Sequence, residues 1–222
     1  MKRLYLIGGP MGVGKTAACR QLQRLLSRSV FLDGDWCWDM HPFVVTAETR
    51  AMVLDSIAHL LCNDLRCSAF DHVIFCWVMH EQAIIDALLA RLPLSGVQVI
   101  RISLVCSPAV LAGRLQRDVD ADLRTPDVIP RSLAYLPLYG ALDTLRLDTS
   151  SLTAAQTAQT SSDRQTRREH TGPRLAVLLS GITRSRTPPP PRRPAQAGRP
   201  PYPATQSPCS GGTTSSGAWQ TA

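Results

Sequence analysis

The chain has 222 residues and a formal net charge of +7, but the charge is unevenly distributed. Residues 1–160 contain 15 basic and 15 acidic side chains, whereas residues 161–222 contain 9 arginines and 2 acids. The larger part is therefore neutral, which argues against a nucleic-acid-binding surface there. The 7 cysteines form no C-x-x-C pair, and no apolar stretch reaches the roughly 18 residues of a membrane span. We expect a cytoplasmic protein with reduced thiols and no membrane partner.

The first predicted element is a short buried strand, Leu4–Ile7, which is followed by a glycine-rich turn and an amphipathic helix. Residues 9–16 read GPMGVGKT and fit the pattern G-x-x-x-x-G-K-[ST]. Glycines at this spacing let backbone N–H groups point at phosphate oxygens, and the following helix adds its positive N-terminal end. Lys15 is expected to contact the β- and γ-phosphates, and the Thr16 hydroxyl to ligate Mg²⁺. The predicted nucleotide-binding residues are Gly9, Pro10, Met11, Gly12, Val13, Gly14, Lys15, Thr16 and Ala17.

A second strand, Val30–Asp33, ends in the acidic turn Asp33-Gly34-Asp35. In-line phosphoryl transfer needs a carboxylate beside the γ-phosphate, either to accept the acceptor's proton or to hold Mg²⁺. We assign Asp35 as the general base and Asp33 as a magnesium ligand, and the reverse assignment stays open. The alternative is a solvated Asp-Gly turn without catalytic function.

The loop after this turn is rich in rings, with Trp36, Trp38, His41 and Phe43. They predict stacking walls of an acceptor pocket, although a loop pinned to the core by its tryptophans explains them equally well. A helix over residues 46–61 and a third strand, His72–Val78, follow. The end of that strand adds further residues expected in the same cleft, namely Trp77, Met79, His80 and Glu81.

Helices are also predicted over residues 81–92 and 107–120, and strands over residues 97–105 and 145–148. Continuous apolar strands that alternate with helices are typical of a parallel sheet covered on both faces. Ligands of such sheets bind at the carboxyl ends of the strands. The candidate residues named so far lie at those ends or in the loops that leave them.

Three arginines, Arg114, Arg117 and Arg124, lie in the segment after the fourth strand. The first two are three residues apart and share a helix face. Arginines on a lid stabilise the charge of a transferring phosphoryl group and exclude water from it. We therefore predict that these three arginines form a catalytic lid. The acids between them favour the alternative, a solvated helix with ion pairs.

The composition changes after residue 160. Residues 161–222 hold 10 of the 17 prolines and little apolar periodicity. We predict a domain over residues 1–160 followed by a disordered basic tail over residues 161–222. Out-of-frame translation of GC-rich DNA gives a similar composition, so the function of the tail stays open. The helix that should follow the last strand, from about Ser151, is expected to dissolve into this tail.

These motifs resemble the small phosphate-loop kinases. The resemblance rests on GGPMGVGKT, on LDGD at the second strand, and on RLQRD and DLRTPDVI before the last strand. This group includes nucleotide, shikimate and gluconate kinases and chloramphenicol phosphotransferase. The stretches WCWDMHPF and VIFCWVMHEQ also resemble bacterial proteins labelled AAA-family ATPase or nucleotide kinase-like.

The resemblance covers about residues 1–150. It implies the P-loop NTPase fold, a three-layer α/β sandwich with a five-stranded parallel sheet and a short arginine-bearing lid. It also implies ATP as the phosphate donor, together with Mg²⁺. By position, Asp35 matches the base, and Arg114, Arg117 and Arg124 match the lid.

The leading prediction is thus an ATP-dependent kinase for a small-molecule hydroxyl or a nucleotide. The main alternative is a nucleotide-binding protein or ATPase without kinase turnover, because a missing last helix is typical of an inactive relic. The chain lacks the N-K-x-D motif of GTPases, the basic groove of a polynucleotide kinase and the acidic third strand of AAA+ motors. A neutral, ring-bearing alcohol is slightly favoured as acceptor over a nucleoside monophosphate, for which Arg50 is the obvious anchor. The sequence does not specify the acceptor or the oligomeric state.

Overall fold

The computed structural model describes residues 1–170, with side chains through residue 163. Its strands are β1 (Lys2–Gly8), β2 (Ser29–Asp33), β3 (His72–Cys76), β4 (Val97–Val105) and β5 (Leu145–Asp148). The helices are α1 (Lys15–Leu25), α2 (Ala47–Arg66), α3 (Gln82–Leu89), α4 (Pro108–Asp120), α5 (Val128–Tyr135) and α6 (Ala154–His170). Two 3₁₀ helices, Gly34–Trp38 and Leu136–Gly140, follow β2 and α5.

The five strands form one parallel sheet in the order β2-β3-β1-β4-β5. Strand β1 is central, and its residue Ile7 lies opposite Cys76 of β3 and Ile102 of β4. All five strands of the sheet run in the same direction, so their carboxyl ends meet at one edge of the sheet. The predicted α/β fold with a five-stranded parallel sheet is confirmed.

Alternate side chains of the strands build two separate hydrophobic layers. On one face, Tyr5 and Ile7 pack with residues of α1, α4, α5 and α6. On the other face, Leu4 and Leu6 pack with residues of α2 and α3. This alternation follows from the period of two in a strand, and it makes the three-layer sandwich.

The helix that we expected to be missing is present as α6, which packs against α1. A capping box starts it, because the Thr153 hydroxyl accepts from the Gln156 N–H and the Gln156 side chain accepts from the Thr153 N–H. Its buried positions include the small polar residues Thr157 and Ser161, whose hydroxyls donate to backbone carbonyls one turn earlier. Because these hydroxyls find hydrogen-bond acceptors within the helix, the residues can be buried although they form no apolar pattern in the sequence.

Helix α6 crosses the predicted boundary at residue 160 and continues to His170. The division of the chain into a domain and a tail stays a prediction, since residues 171–222 of the predicted tail lie outside the described residues. Within the described part of the chain, no helix is both long enough and apolar enough to cross a membrane.

Candidate functional site

The glycine-rich segment forms a loop between the end of β1 and the start of α1, as predicted from its pattern. Gly14 directly precedes α1 with φ 100°, in the left-handed region that favours glycine. A side chain on Gly9 would lie 2.8 Å from the Leu104 carbonyl oxygen, so that position has no room for one. Val13 is buried in the core and anchors the loop to it.

Lys15 lies in the first turn of α1 and is 7% exposed. Its ammonium group donates to the Pro10 carbonyl oxygen, 3.1 Å away, at the other end of the loop. Burial lowers the pKa of Lys15 below its ordinary value, and the carboxylate of Asp35 opposes this shift most strongly. The lysine therefore lies within the loop, close to the acids that end β2.

Asp33 is 3% exposed and connects helix α1 to the 3₁₀ helix after β2 through its carboxylate. The Thr16 hydroxyl donates to its Oδ2 at 2.7 Å, and the Asp35 N–H donates to its Oδ1 at 3.1 Å. The second bond caps the 3₁₀ helix that begins at Gly34. The hydroxyl and carboxylate predicted to share Mg²⁺ are thus neighbours, and both are the hard oxygen donors that this ion prefers.

Asp35 lies two residues after Asp33, in the first turn of the 3₁₀ helix, and is exposed to solvent. The surrounding protein nevertheless restricts the hydration of its carboxylate and raises its pKa above the ordinary 3.8, while Lys15 lowers it and Asp33 raises it further. A carboxylate with a raised pKa is a better proton acceptor near neutral pH than an ordinary aspartate. Its position and environment are therefore compatible with the predicted base.

A cleft of about 380 Å³ brings most of the predicted site residues together, whereas Gly9, Pro10, Val13 and Asp33 do not line it. The phosphate loop, Asp35, and all three predicted lid arginines contribute to its walls. Its lining residues are Met11, Gly12, Gly14, Lys15, Thr16, Ala17, Asp35, Arg114, Arg117, Asp118 and Arg124. Segments far apart in sequence thus converge at the carboxyl edge of the sheet.

The three arginines have different environments. Arg114 is half-buried and donates to the Val13 carbonyl at 3.1 Å and to the Thr149 carbonyl at 2.7 Å. Arg117 is exposed, and Arg124 pairs with Asp118 at 3.1 Å. The charge of Arg124 lowers the pKa of both Lys15 and Asp35, and all three side chains line the same cleft. The lid role of all three stays a prediction.

The ring-bearing residues do not form the single pocket that we expected. Trp36 packs edge-on against Phe31 and under the Arg20 guanidinium on the α1 side, whereas Trp38 contacts Phe43. None of the predicted ring-bearing residues belongs to the lining of the 380 Å³ cleft. The rings of Trp36 and Trp38 therefore point away from each other, one toward Phe31 and the other toward Phe43.

The residues after β3 also differ in their roles. Met79 is 1% exposed and part of the core, so the expectation that it lines a cleft is wrong. His80 stacks on Tyr135 of α5 with ring centroids 4.3 Å apart. Trp77 lies over Gly34, where an added side chain would come within 2.7 Å of the indole.

Sequence reasoning missed Thr149 and Tyr135. Thr149 follows β5, is 2% exposed and receives two hydrogen bonds from Arg114. Tyr135 lies in α5 against His80. Neither residue belongs to a recognisable motif, and only the position of Thr149 just after a strand gave a signal.

Solved structures with a similar fold include a gluconokinase from Sinorhizobium meliloti 1021, with a TM-score of 0.55 and 18% identity, covering 75% of this chain and 94% of that one. A sugar kinase from Janibacter sp. HTCC2649 has a TM-score of 0.55 and 19% identity, covering 80% and 99%. The tunicamycin resistance protein of Deinococcus radiodurans has a TM-score of 0.54 and 19% identity, covering 74% and 96%. At these identities the likeness shows the fold alone, which this chain shares with the gluconokinase and the sugar kinase.

The chain has no match among curated proteins. The model of a family described as "AAA domain" matches residues 6–126, which is more than half of the chain. The predicted resemblance to AAA-family proteins is thereby confirmed, and the protein belongs to this AAA domain family.

Proposed function

We propose that the protein transfers the γ-phosphate of ATP to a hydroxyl of a small molecule or to a nucleotide. The observation that carries this proposal is the shared cleft, in which Lys15, Asp35 and three arginines line one space beside the phosphate loop. Phosphoryl transfer needs little covalent chemistry from a protein and depends mainly on positioning and charge. A loop for phosphate, a base and movable cations are the parts that it requires.

Lys15 and the loop amides would hold the β- and γ-phosphates. Thr16 and Asp33 would hold Mg²⁺, which usually takes one or two protein oxygens and completes its shell with phosphates and water. Their hydrogen bond of 2.7 Å shows that both oxygens reach one place. When bound, the ion would neutralise charge on the phosphates.

Asp35 would accept the proton of the acceptor hydroxyl while that oxygen forms its bond to the γ-phosphorus. The bond between the γ-phosphorus and the bridging oxygen breaks, and ADP leaves. The restricted hydration of its carboxylate raises the pKa of Asp35, which brings its proton affinity closer to that of the reacting group. Arg117 and Arg124 would stabilise the charge on the transferring group, Arg124 after release from Asp118.

The alternative, nucleotide binding without kinase turnover, loses its main support. That reading depended on a missing last helix, and α6 is present and packed on α1. The residues proposed for catalysis also line one cleft, which supports turnover.

The acceptor stays a prediction. The preference for a neutral, ring-bearing alcohol rests on the scarcity of cations beyond the lid arginines and on aromatic walls, and the divergence of Trp36 and Trp38 weakens the second argument. Arg50, the anchor expected for a nucleoside monophosphate, is exposed on α2. We therefore propose only the reaction class, with neutral alcohols and nucleotides both as test substrates.

The test is incubation with γ-labelled ATP and Mg²⁺ and a panel of nucleosides, nucleoside monophosphates, sugars and antibiotic-type alcohols. We expect label transfer to at least one acceptor by the wild type and none by Lys15→Ala. ATP binding without transfer to any acceptor would support the alternative. An absence of ATP binding would overturn the proposal.

A further inference from the structure

The contacts of Arg114 distinguish it from the other arginines of the cleft. Its guanidinium donates to the Val13 carbonyl at 3.1 Å, to the Thr149 hydroxyl at 3.2 Å and to the Thr149 carbonyl at 2.7 Å. These three bonds use donors on both terminal nitrogens and point at backbone or hydroxyl oxygens. A guanidinium held in this way is fixed in direction, because its donors form a planar fork.

Thr149 gives this fork a rigid base. Its N–H donates to the Val105 carbonyl at 2.7 Å, and its hydroxyl donates to the same oxygen at 3.1 Å. Strand β4 ends at Val105, so the residue is tied to the end of the sheet. Arg114 therefore connects a fixed point of the sheet to the phosphate loop.

The loop needs such a connection at one peptide in particular. The Val13 carbonyl and the Gly14 N–H belong to the same planar trans peptide, so they point in opposite directions. Gly14 has φ 100°, and a side chain built there would contact nothing within 4 Å. Since glycine has no side chain and a Cβ at this position would meet no atom, side-chain packing at Gly14 does not fix the orientation of this peptide.

We propose that Arg114 is a positioning residue that holds the Val13 carbonyl and thereby keeps the Gly14 N–H directed at bound phosphate. The inference rests on the proposed nucleotide binding. It separates Arg114 from Arg117 and Arg124, whose side chains remain available to the transferring group. Arg114 then contributes equally to the binding of any ligand with a pyrophosphate group, before and after transfer.

The experiment measures the Kd of ATP, ADP and inorganic pyrophosphate by calorimetry, together with kcat at saturating ATP. Arg114→Ala should raise all three Kd values by a similar factor, roughly tenfold to a hundredfold, which is the range for loss of a hydrogen bond to a charged group. The kcat of Arg114→Ala should change by less than about threefold, because the lost hydrogen bond stabilises the bound ground state and the transition state equally. Arg117→Ala is the matched control from the same helix, and it should lower kcat with little effect on the Kd of pyrophosphate.

Two further variants locate the effect. Arg114→Lys retains the charge but offers no fork, so it should fall between wild type and Arg114→Ala, and it carries the test if the alanine variant does not fold. Thr149→Val removes the hydroxyl with its bonds to Arg114 and to the Val105 carbonyl. It leaves the bond from Arg114 to the Val13 carbonyl, so its Kd for pyrophosphate should rise less than that of Arg114→Ala. Melting curves identify which variants are folded at the assay temperature.

Unchanged Kd values with a large fall in kcat for Arg114→Ala would overturn the inference and return this arginine to the transition-state role. A Kd for Thr149→Val as high as that of Arg114→Ala would also overturn it, because the effect would then arise in the loop after β5. If the wild type binds none of the three ligands, the proposed function itself fails. That result differs from the two outcomes above, which concern variants of a protein that does bind them.

Discussion

Replacement of Asp35 by asparagine should lower kcat by roughly 100-fold to 10,000-fold, the usual contribution of a positioned general base. The amide keeps the size of the side chain, and the backbone N–H of residue 35 still donates to the capping carboxylate of Asp33, so the 3₁₀ helix should remain in place. ATP affinity should be unchanged or slightly higher, since the variant loses a negative charge beside the phosphate site. The change therefore separates chemistry from binding.

The pH dependence gives a second readout. A base acts only when ionised, so wild-type activity should fall as the pH drops through the pKa of Asp35, which lies above the ordinary 3.8. This acidic limb should disappear in the variant. The same carboxylate opposes the lowering of the pKa of Lys15 by burial, so Asp35→Asn should also shift the alkaline loss of ATP binding to lower pH.

The assay follows ADP release with an acceptor identified in the labelled-ATP panel, and calorimetry gives ATP affinity. Asp39→Asn, an exposed acid just after the same 3₁₀ helix, is the matched control and should behave as the wild type. A fall in kcat below about tenfold with an intact acidic limb would refute the assignment of Asp35 as base. Loss of ATP binding instead would make Asp35 a magnesium ligand and Asp33 the candidate base.

Three further changes test the site and the fold. Lys15→Ala should abolish turnover and weaken ATP binding, because it removes the buried cation of the loop, and unchanged turnover in the labelled-ATP assay would contradict the proposed function. Lys2→Met should lower the free energy of unfolding by about 1 kcal/mol in urea titrations, since the Lys2 ammonium donates to the carbonyls of Leu65 at 2.7 Å and Cys67 at 2.6 Å at the end of α2. An equal loss in Lys2→Arg would argue against this cap. Truncation after His170 should leave activity per folded molecule unchanged, whereas truncation after Thr153 should abolish cooperative melting because it removes α6 from α1.

The sheet, the phosphate loop and the acids of β2 were predictable because each has a local signal. The strand residues form continuous apolar runs, and the loop pattern fixes glycines, lysine and threonine at set positions. The strand order β2-β3-β1-β4-β5, in which β3 lies between β2 and β1, was not predicted. Topology arises from packing between distant segments, which a single sequence does not encode locally.

Three features were outside the reach of sequence reasoning for physical reasons. Helix α6 buries Thr157 and Ser161, so its inner face has no apolar period. Arg114 and Arg117 share a helix face in the sequence, and the contacts of Arg114 with Val13 and Thr149 distinguish them in the structure. The rings of Trp36 and Trp38 are two residues apart, but the 3₁₀ turn between them sends one toward Phe31 and the other toward Phe43.

The contact of Trp77 with Gly34 restricts how this protein can change over generations. Any side chain at position 34 needs the volume that the indole fills, and a smaller residue at position 77 leaves a void against the backbone between the two acids. The two positions are therefore free to vary only as a pair. Selection from a library randomised at position 34 alone should return glycine, whereas a library randomised at both positions should yield new compatible combinations and, with them, new shapes beside Asp35.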